Sequence, residues 1–229
     1  MKSPADVTIV LAHGAWADGS SWSAVISPLA KRGFHVVAAP LPLSSLADDT
    51  AALQRSIART KGPVVVAGHA YAGAVIATTN DERVRALVYI AALAPAKGET
   101  VAQVFYRDKR HPKSPELVPD SEGWIWMPEE GFANAFAHHA TEEQIALVKA
   151  VQRPISVNCI QAPVPEPAWT IKPSWFLIAE EDRMINAATQ HFMAQRMNAQ
   201  TQALRVDHTP LLTAPEPVIE MILAAARSA

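Results

Sequence analysis

Cys159 is the chain's one cysteine, which rules out an internal disulfide and any cysteine-rich metal site. Net charge is close to absent as well: 20 Lys and Arg against 22 Asp and Glu leave −2. That balance gives no electrostatic case for a nucleic-acid or anionic-membrane partner. No apolar run approaches the roughly 20 residues of a membrane span. The opening, Met1 to Asp6, is polar and carries no apolar signal core. Internal repeats and low-complexity tracts are missing too. For 229 residues at 49% hydrophobic content, the expectation is one soluble, cytoplasmic domain.

What is present organises itself around Val64-Val65-Val66-Ala67-Gly68-His69-Ala70-Tyr71-Ala72-Gly73. Three β-branched residues run into a Gly-x-x-x-x-Gly frame, and the small residues Ala74, Val75, Ile76 and Ala77 follow. This is the strand–sharp turn–helix pattern of a nucleophile elbow. Gly68 and Gly73 stand where a side chain would collide with the crossing strand and helix. The middle residue is lifted onto the apex of the turn, above helix N-terminal N–H groups. Serine is usual there. This chain has Ala70.

The remaining segments alternate. Val7 to Ala12 predicts a strand covered on both faces, ending in the turn His13-Gly14-Ala15-Trp16. A helix bearing Trp22, Val25, Ile26 and Leu29 runs to Gly33, then His35 to Ala39 forms a strand stopped by Pro40 and Pro42. Asp48 or Asp49 is expected to cap a helix with Leu53 and Ile57 on one face. After the elbow and its helix, Val84 to Leu93 predicts another strand. The order describes a parallel sheet of right-handed crossovers, an α/β fold.

From Pro95 to Pro173 the pattern breaks, and 10 of the 18 prolines fall there, which argues against continuous sheet. Thr141 and Gln144 predict a capping box before Ile145, Val148 and Val151, with Arg153-Pro154 ending that helix. Residues 95–173 are expected to be a helical lid inserted into a core of residues 1–94 and 174–229. Trp124, Trp126, Phe132 and Phe136, with Trp16, are the expected lining of an apolar pocket. The alternative is an irregular subdomain whose aromatics pack its own small core. The α/β pattern resumes with Ser174 to Ala179, Asn186 capping a helix, and a strand from Thr201 to Val206. Thr213 and Glu216 predict a second capping box, with Pro215 among the first residues of the closing helix.

Functional groups gather at the carboxyl ends of strands in such sheets. The candidates in chain order are the apex position Ala70, Asp182 and His208. His208 would take a proton from an apex hydroxyl, and Asp182 would fix its tautomer. Asp182 competes with Glu180 and Glu181 and is favoured as the last of the three. The N–H groups of Ala15 and Tyr71 would face a developing oxyanion. His13 and His69 are expected to be structural, held by backbone groups. His138 and His139 are not expected to share a metal, since adjacent helical residues point about 100° apart. No cofactor is called for.

These residues resemble the α/β-hydrolase superfamily, in its small-esterase branch with the methyl-salicylate esterases and hydroxynitrile lyases. The matching segments are Val10 to Trp16, Ala67 to Gly73, Ala179 to Asp182, and Asp207-His208 with Leu211-Leu212. The resemblance implies an α/β-hydrolase fold, Asp182 as acid, His208 as base, and Ala15 and Tyr71 as oxyanion donors. Ala70 departs from the family's serine, and Ala72 stands where glycine is frequent. Alanine cannot form an acyl-enzyme. Three functions are compatible with it. One is a Ser-His-Asp carboxylic-ester or lactone hydrolase with its nucleophile replaced, binding a small apolar or aromatic ester and barely cleaving it. The second is a serine-free lyase or cofactor-independent oxygenase using His208 and Asp182. The third is a non-catalytic binder of small ligands. A carboxylate at the apex, which epoxide hydrolases and haloalkane dehalogenases need, is lacking.

Overall fold

In a computed structural model, which describes residues 4–229, six strands form one parallel sheet in the order β2-β1-β3-β4-β7-β8. They are β1 (Thr8–Ala12), β2 (His35–Ala39), β3 (Val64–His69), β4 (Val84–Ile90), β7 (Ser174–Ala179) and β8 (Gln200–Leu204). β5 (Trp124–Ile125) and β6 (Ile155–Ser156) make a separate antiparallel pair. Met1 to Ser3, part of the polar opening, lie outside the described residues. Among those described, no helix is long and apolar enough to cross a membrane.

The central strands β1, β3 and β7 are buried at every position, as their unbroken apolar runs require. The pleat then divides them. Ile9, Leu11, Val65 and Ala67 face a core with Trp22, Val25 and Leu29, shared by α1 (Ser23–Lys31) and α10 (Pro215–Arg227). Val10, Ala12, Val64 and Val66 face the opposite core, with Leu53 and Ile57 of α2 (Leu46–Ala58) and Val75 and Ile76 of α3 (Ala72–Ala77). The edge strand β8 is largely exposed, in keeping with its polar Gln-Thr-Gln.

Between β4 and β7 the chain leaves the sheet. It forms α4 (Val101–Phe105), β5, α5 (Glu129–Gly131), a π-helical turn at Phe132–Phe136, α6 (Glu142–Ala150), β6 and α7 (Val157–Gln161). The segment is less helical than its expectation, because its prolines interrupt hydrogen bonding every few residues. α6 does open on the Thr141–Gln144 capping box, with both reciprocal bonds made. The sheet resumes at β7, followed by α8 (Ala187–Arg196), capped by Asn186, then β8 and α9 (Pro210–Thr213).

Several local expectations are corrected. Ser45, rather than Asp48 or Asp49, caps α2 by accepting from the Asp48 N–H at 3.0 Å. Asp48 accepts from the Ser44 and Ser45 hydroxyls, while Asp49 turns into the core. Thr213 does not cap α10: its hydroxyl donates to the fully buried Asp207 at 2.6 Å, a group that needs donors more than the helix end does. β4 and β8 stop at Ile90 and Leu204, short of the expected Leu93 and Val206.

Candidate active site

β3 runs into Ala70, whose φ of 51° lies in the left-handed region. For a residue with a Cβ this costs about 1–2 kcal/mol. The turn is held from both sides. The Ala70 N–H donates to the Ile90 carbonyl at 3.3 Å, and the Ala70 carbonyl accepts from Gly73 at 3.1 Å and Leu93 at 2.9 Å. A Cβ on Gly68 would sit 2.8 Å from the Ala72 carbonyl oxygen, and one on Gly73 would run into that of Leu93. Both elbow glycines therefore answer to close backbone approach. Ala72 is small enough to be fully buried beside them. Gly14, after β1, comes so near that an added Cβ would stand 2.9 Å from the Ala70 methyl.

Asp182 follows β7 and is anchored at both oxygens. Its Oδ1 accepts from the N–H groups of Met184 (2.7 Å) and Ile185 (2.9 Å). Its Oδ2 accepts from Gln190 Nε2 and faces His208 Nδ1, each at 2.8 Å. The carboxylate side chain is 0% exposed and the imidazole 2%, so the pair is out of water, where such a contact needs this full set of donors. With the carboxylate accepting, Nδ1 carries a proton, and in the neutral ring Nε2 presents a lone pair. The neighbouring acids are engaged elsewhere: Glu180 with His191 at 2.8 Å, Glu181 with Arg205 at 2.9 Å and His139 at 3.2 Å. Of the three, Asp182 is the one that meets His208.

Two further histidines buttress the site. His69 Nε2 donates to the His208 carbonyl at 2.7 Å, and its ring lies 4.8 Å from that of His208. Burial, and next the neighbouring His208, push its pKa well below the ordinary histidine value. His13 Nδ1 bonds the Gly14 carbonyl at 3.0 Å, and burial lowers its pKa too. Both are held by backbone groups, and the second ring nitrogen of each has no partner among the described residues. Phe136 packs on the rings of His208 (5.5 Å) and Trp16 (6.3 Å).

Above Ala70 opens a cavity of about 590 Å³ including its mouth, lined by Ala15, Trp16, Tyr71 and His208 from the sheet's end. Met184 and Ile185 close one side, and Phe105, Tyr106, Ile125 and Ile160 of the inserted segment close the other. The Tyr71 phenol points away, donating to Asp49 Oδ2 at 2.7 Å. Asp49 also accepts from the Leu43 N–H and contacts the Cys159 thiol at 3.6 Å. Burial raises the Asp49 pKa and pushes the Cys159 thiol up to about 12. The cavity wall is thus apolar apart from His208, backbone groups and the half-exposed Tyr106.

Of the five aromatics expected over the pocket, Trp16 lines it, its indole tied to the Ile125 carbonyl at 2.9 Å. Trp124 lies in β5 and Trp126 is half exposed, neither on this wall. Phe132 and Phe136 are buried against each other; Phe136 borders a second, smaller cavity behind Trp16. Ile125, Ile160, Met184 and Ile185 as lining, and Gln190 as a partner of Asp182, were not singled out from the sequence. Phe105 and Tyr106 did carry a signal, as adjacent aromatics at the end of a short apolar run.

A model of the alpha/beta hydrolase family matches residues 9–221. A curated relative, the alpha/beta hydrolase nvfD of Aspergillus novofumigatus (strain IBT 16806), is 24% identical over 249 residues, covering 96% of this chain and 97% of that protein. Polyneuridine aldehyde esterase is similar in structure, with a TM-score of 0.83 at 17% identity, over 96% of this chain and 99% of that one. A pyrethroid hydrolase from Sphingobium faniae JZ-2 gives 0.82 at 23%, over 97% and 98%. A mutant of tomato methylketone synthase I gives 0.83 at 17%, over 96% and 98%. At these identities the structural likeness speaks to the fold.

Proposed function

The chain belongs to the alpha/beta hydrolase family, and from that premise we propose that Ala70, Asp182 and His208 form an ester-hydrolase site of the Ser-His-Asp type without its nucleophile. The observation that carries this reading is a left-handed Ala70 facing the cavity that the buried Asp182–His208 pair also borders. In this reading the ester carbonyl rests over Ala70, with its oxygen toward the N–H groups of Ala15 and Tyr71. Among the described residues, neither N–H donates to a protein acceptor, which leaves both for a ligand. His208 Nε2 would take a proton from the attacking group, and here that group is water. The inserted segment acts as a lid whose apolar wall selects a small apolar or aromatic ester or lactone. Two structural neighbours, an esterase and a pyrethroid hydrolase, support the ester class.

Removing the nucleophile of a serine hydrolase costs on the order of 10⁶ in turnover, about 8 kcal/mol of barrier. Binding and oxyanion donors retain about 10³–10⁴ over water. This chain therefore binds its ester and cleaves it slowly. Steady-state hydrolysis of p-nitrophenyl butyrate tests the reading: Ala70→Ser should raise turnover by at least about 10³, and adding His208→Ala should remove the gain. Equal rates for the chain with and without the hydroxyl would reject it.

A second reading has its own support. Asp182 keeps all its donors and His208 its orientation although no hydroxyl is there to use them. A histidine base beside two N–H donors is the equipment for abstracting a proton next to a carbonyl, as a serine-free lyase or cofactor-independent oxygenase requires. One structural neighbour, the tomato methylketone synthase I, is named a synthase. On this reading the chain turns over a non-ester carbonyl compound, His208→Ala abolishes it, and Ala70→Ser does not raise it.

A further inference from the structure

His138 and His139 do not diverge as residues of one helix would. They follow the π-helical turn at Phe132–Phe136, and Ala137, at φ −138° and ψ 55°, takes the chain out of helical geometry. The two rings then lie 4.3 Å apart. Glu181, two residues past the end of β7, comes up against them. One nitrogen from each ring and one Glu181 carboxylate oxygen lie within 4.8 Å of one another.

We propose that His138, His139 and Glu181 bind a divalent transition metal of the zinc class, joining the inserted segment to the loop that carries Asp182. Two imidazoles and a carboxylate suit such an ion, with a fourth position left for water. His139 Nε2 is 3.2 Å from Glu181 Oε2. Two ligands of a tetrahedral zinc, at bonds of about 2.1 Å, stand about 3.4 Å apart, so this pair needs only a small adjustment. Among the described residues, His138 Nδ1 is buried without a hydrogen-bond partner.

The surrounding charges leave room for a cation. Arg205 donates to Glu181 Oε1, not Oε2, and its side chain is 88% exposed, free to swing outward. Arg183 spends Nη1 on the Asn134 carbonyl at 2.9 Å. Behind the site, Asp207 Oδ2 accepts from the His139 N–H at 3.0 Å and places a second negative charge nearby. Two ligands come from the inserted segment, and the third directly precedes Asp182. A bound ion would stabilise that junction by mass action.

Isothermal titration of Zn²⁺ into the metal-stripped full chain tests the proposal. The expected result is one saturable site, weakened at least about tenfold by His139→Ala and by Glu181→Gln. His191→Ala serves as control, because it removes an exposed His191–Glu180 pair of 2.8 Å elsewhere on the surface, and should leave affinity unchanged. Both tested side chains are partly exposed, so circular dichroism should report an unaltered fold; Glu181→Gln, nearly isosteric, carries the test if His139→Ala does not fold. No saturable binding, binding that survives both substitutions, or binding that His191→Ala removes would each overturn the proposal.

Discussion

At position 70, a methyl rather than a hydroxymethyl group decides whether an acyl-enzyme can form. The same residue-scale logic applies to its partners. In the proposed site, Asp182 would fix the His208 tautomer through one bond of 2.8 Å. In an Ala70→Ser background, Asp182→Asn should therefore lower kcat by on the order of 10⁴, by steady-state kinetics; a loss under about tenfold would contradict the assignment. Gln190 is fully buried and gives Nε2 to Asp182 while its Oε1 accepts the Ala179 N–H at 3.0 Å. Gln190→Leu strands both groups and should cost about 1–3 kcal/mol in urea unfolding, with an unchanged result contradicting that role. Asp182 and His208 could be singled out because each lies within four residues of a strand's end, in the chain order of a known motif. Gln190 was not, since a glutamine one helix later belongs to no motif and reveals itself only when packed.

Among elements, the elbow is the most constrained. A Cβ on Gly73 meets the Leu93 carbonyl, an atom of the backbone that has no rotamer to escape into. Gly73→Ala is expected to destabilise by about 1–3 kcal/mol, seen as a lower urea midpoint at unchanged m-value. The π-helical turn rests on Phe136, which is 2% exposed and stacks near His69 and His208. Phe136→Ala should cost about 3–5 kcal/mol by the same measurement, and a loss below about 1 kcal/mol would mean the site tolerates its absence. Five of the six sheet strands could be read from apolar runs, and the exposed β8 from its alternating character. The facing of aromatics in the inserted segment could not, because no period of two or 3.6 survives its prolines. Trp126 thus lies half exposed, while Ile125, its neighbour, reaches the cavity.

At the scale of the molecule, the sheet changes winding direction between β1 and β3, and the turns after both strands meet there, as open α/β sheets favour. Burying His13 and His69 beneath that meeting point has a pH signature. Burial holds both below the ordinary histidine pKa, so the unfolded chain takes up protons that the folded one refuses. Their contribution to stability is complete above about pH 6.5 and declines as pH falls toward the lowered folded values, by up to about 1.4 kcal/mol per unit for each ring. Urea midpoints should fall between about pH 7 and 5, and less steeply in His69→Gln; a flat or rising midpoint would contradict this. That residues 70, 182 and 208 converge is the claim on which the functional reading stands. Mass spectrometry of the Ala70→Ser variant after exposure to an aryl fluorophosphonate tests it most directly, since only a hydroxyl activated by His208 reacts quickly. The expected result is one adduct on the peptide carrying residue 70, slowed more than about a hundredfold by His208→Ala. A folded variant that stays unlabelled, or one labelled equally fast without His208, would contradict it.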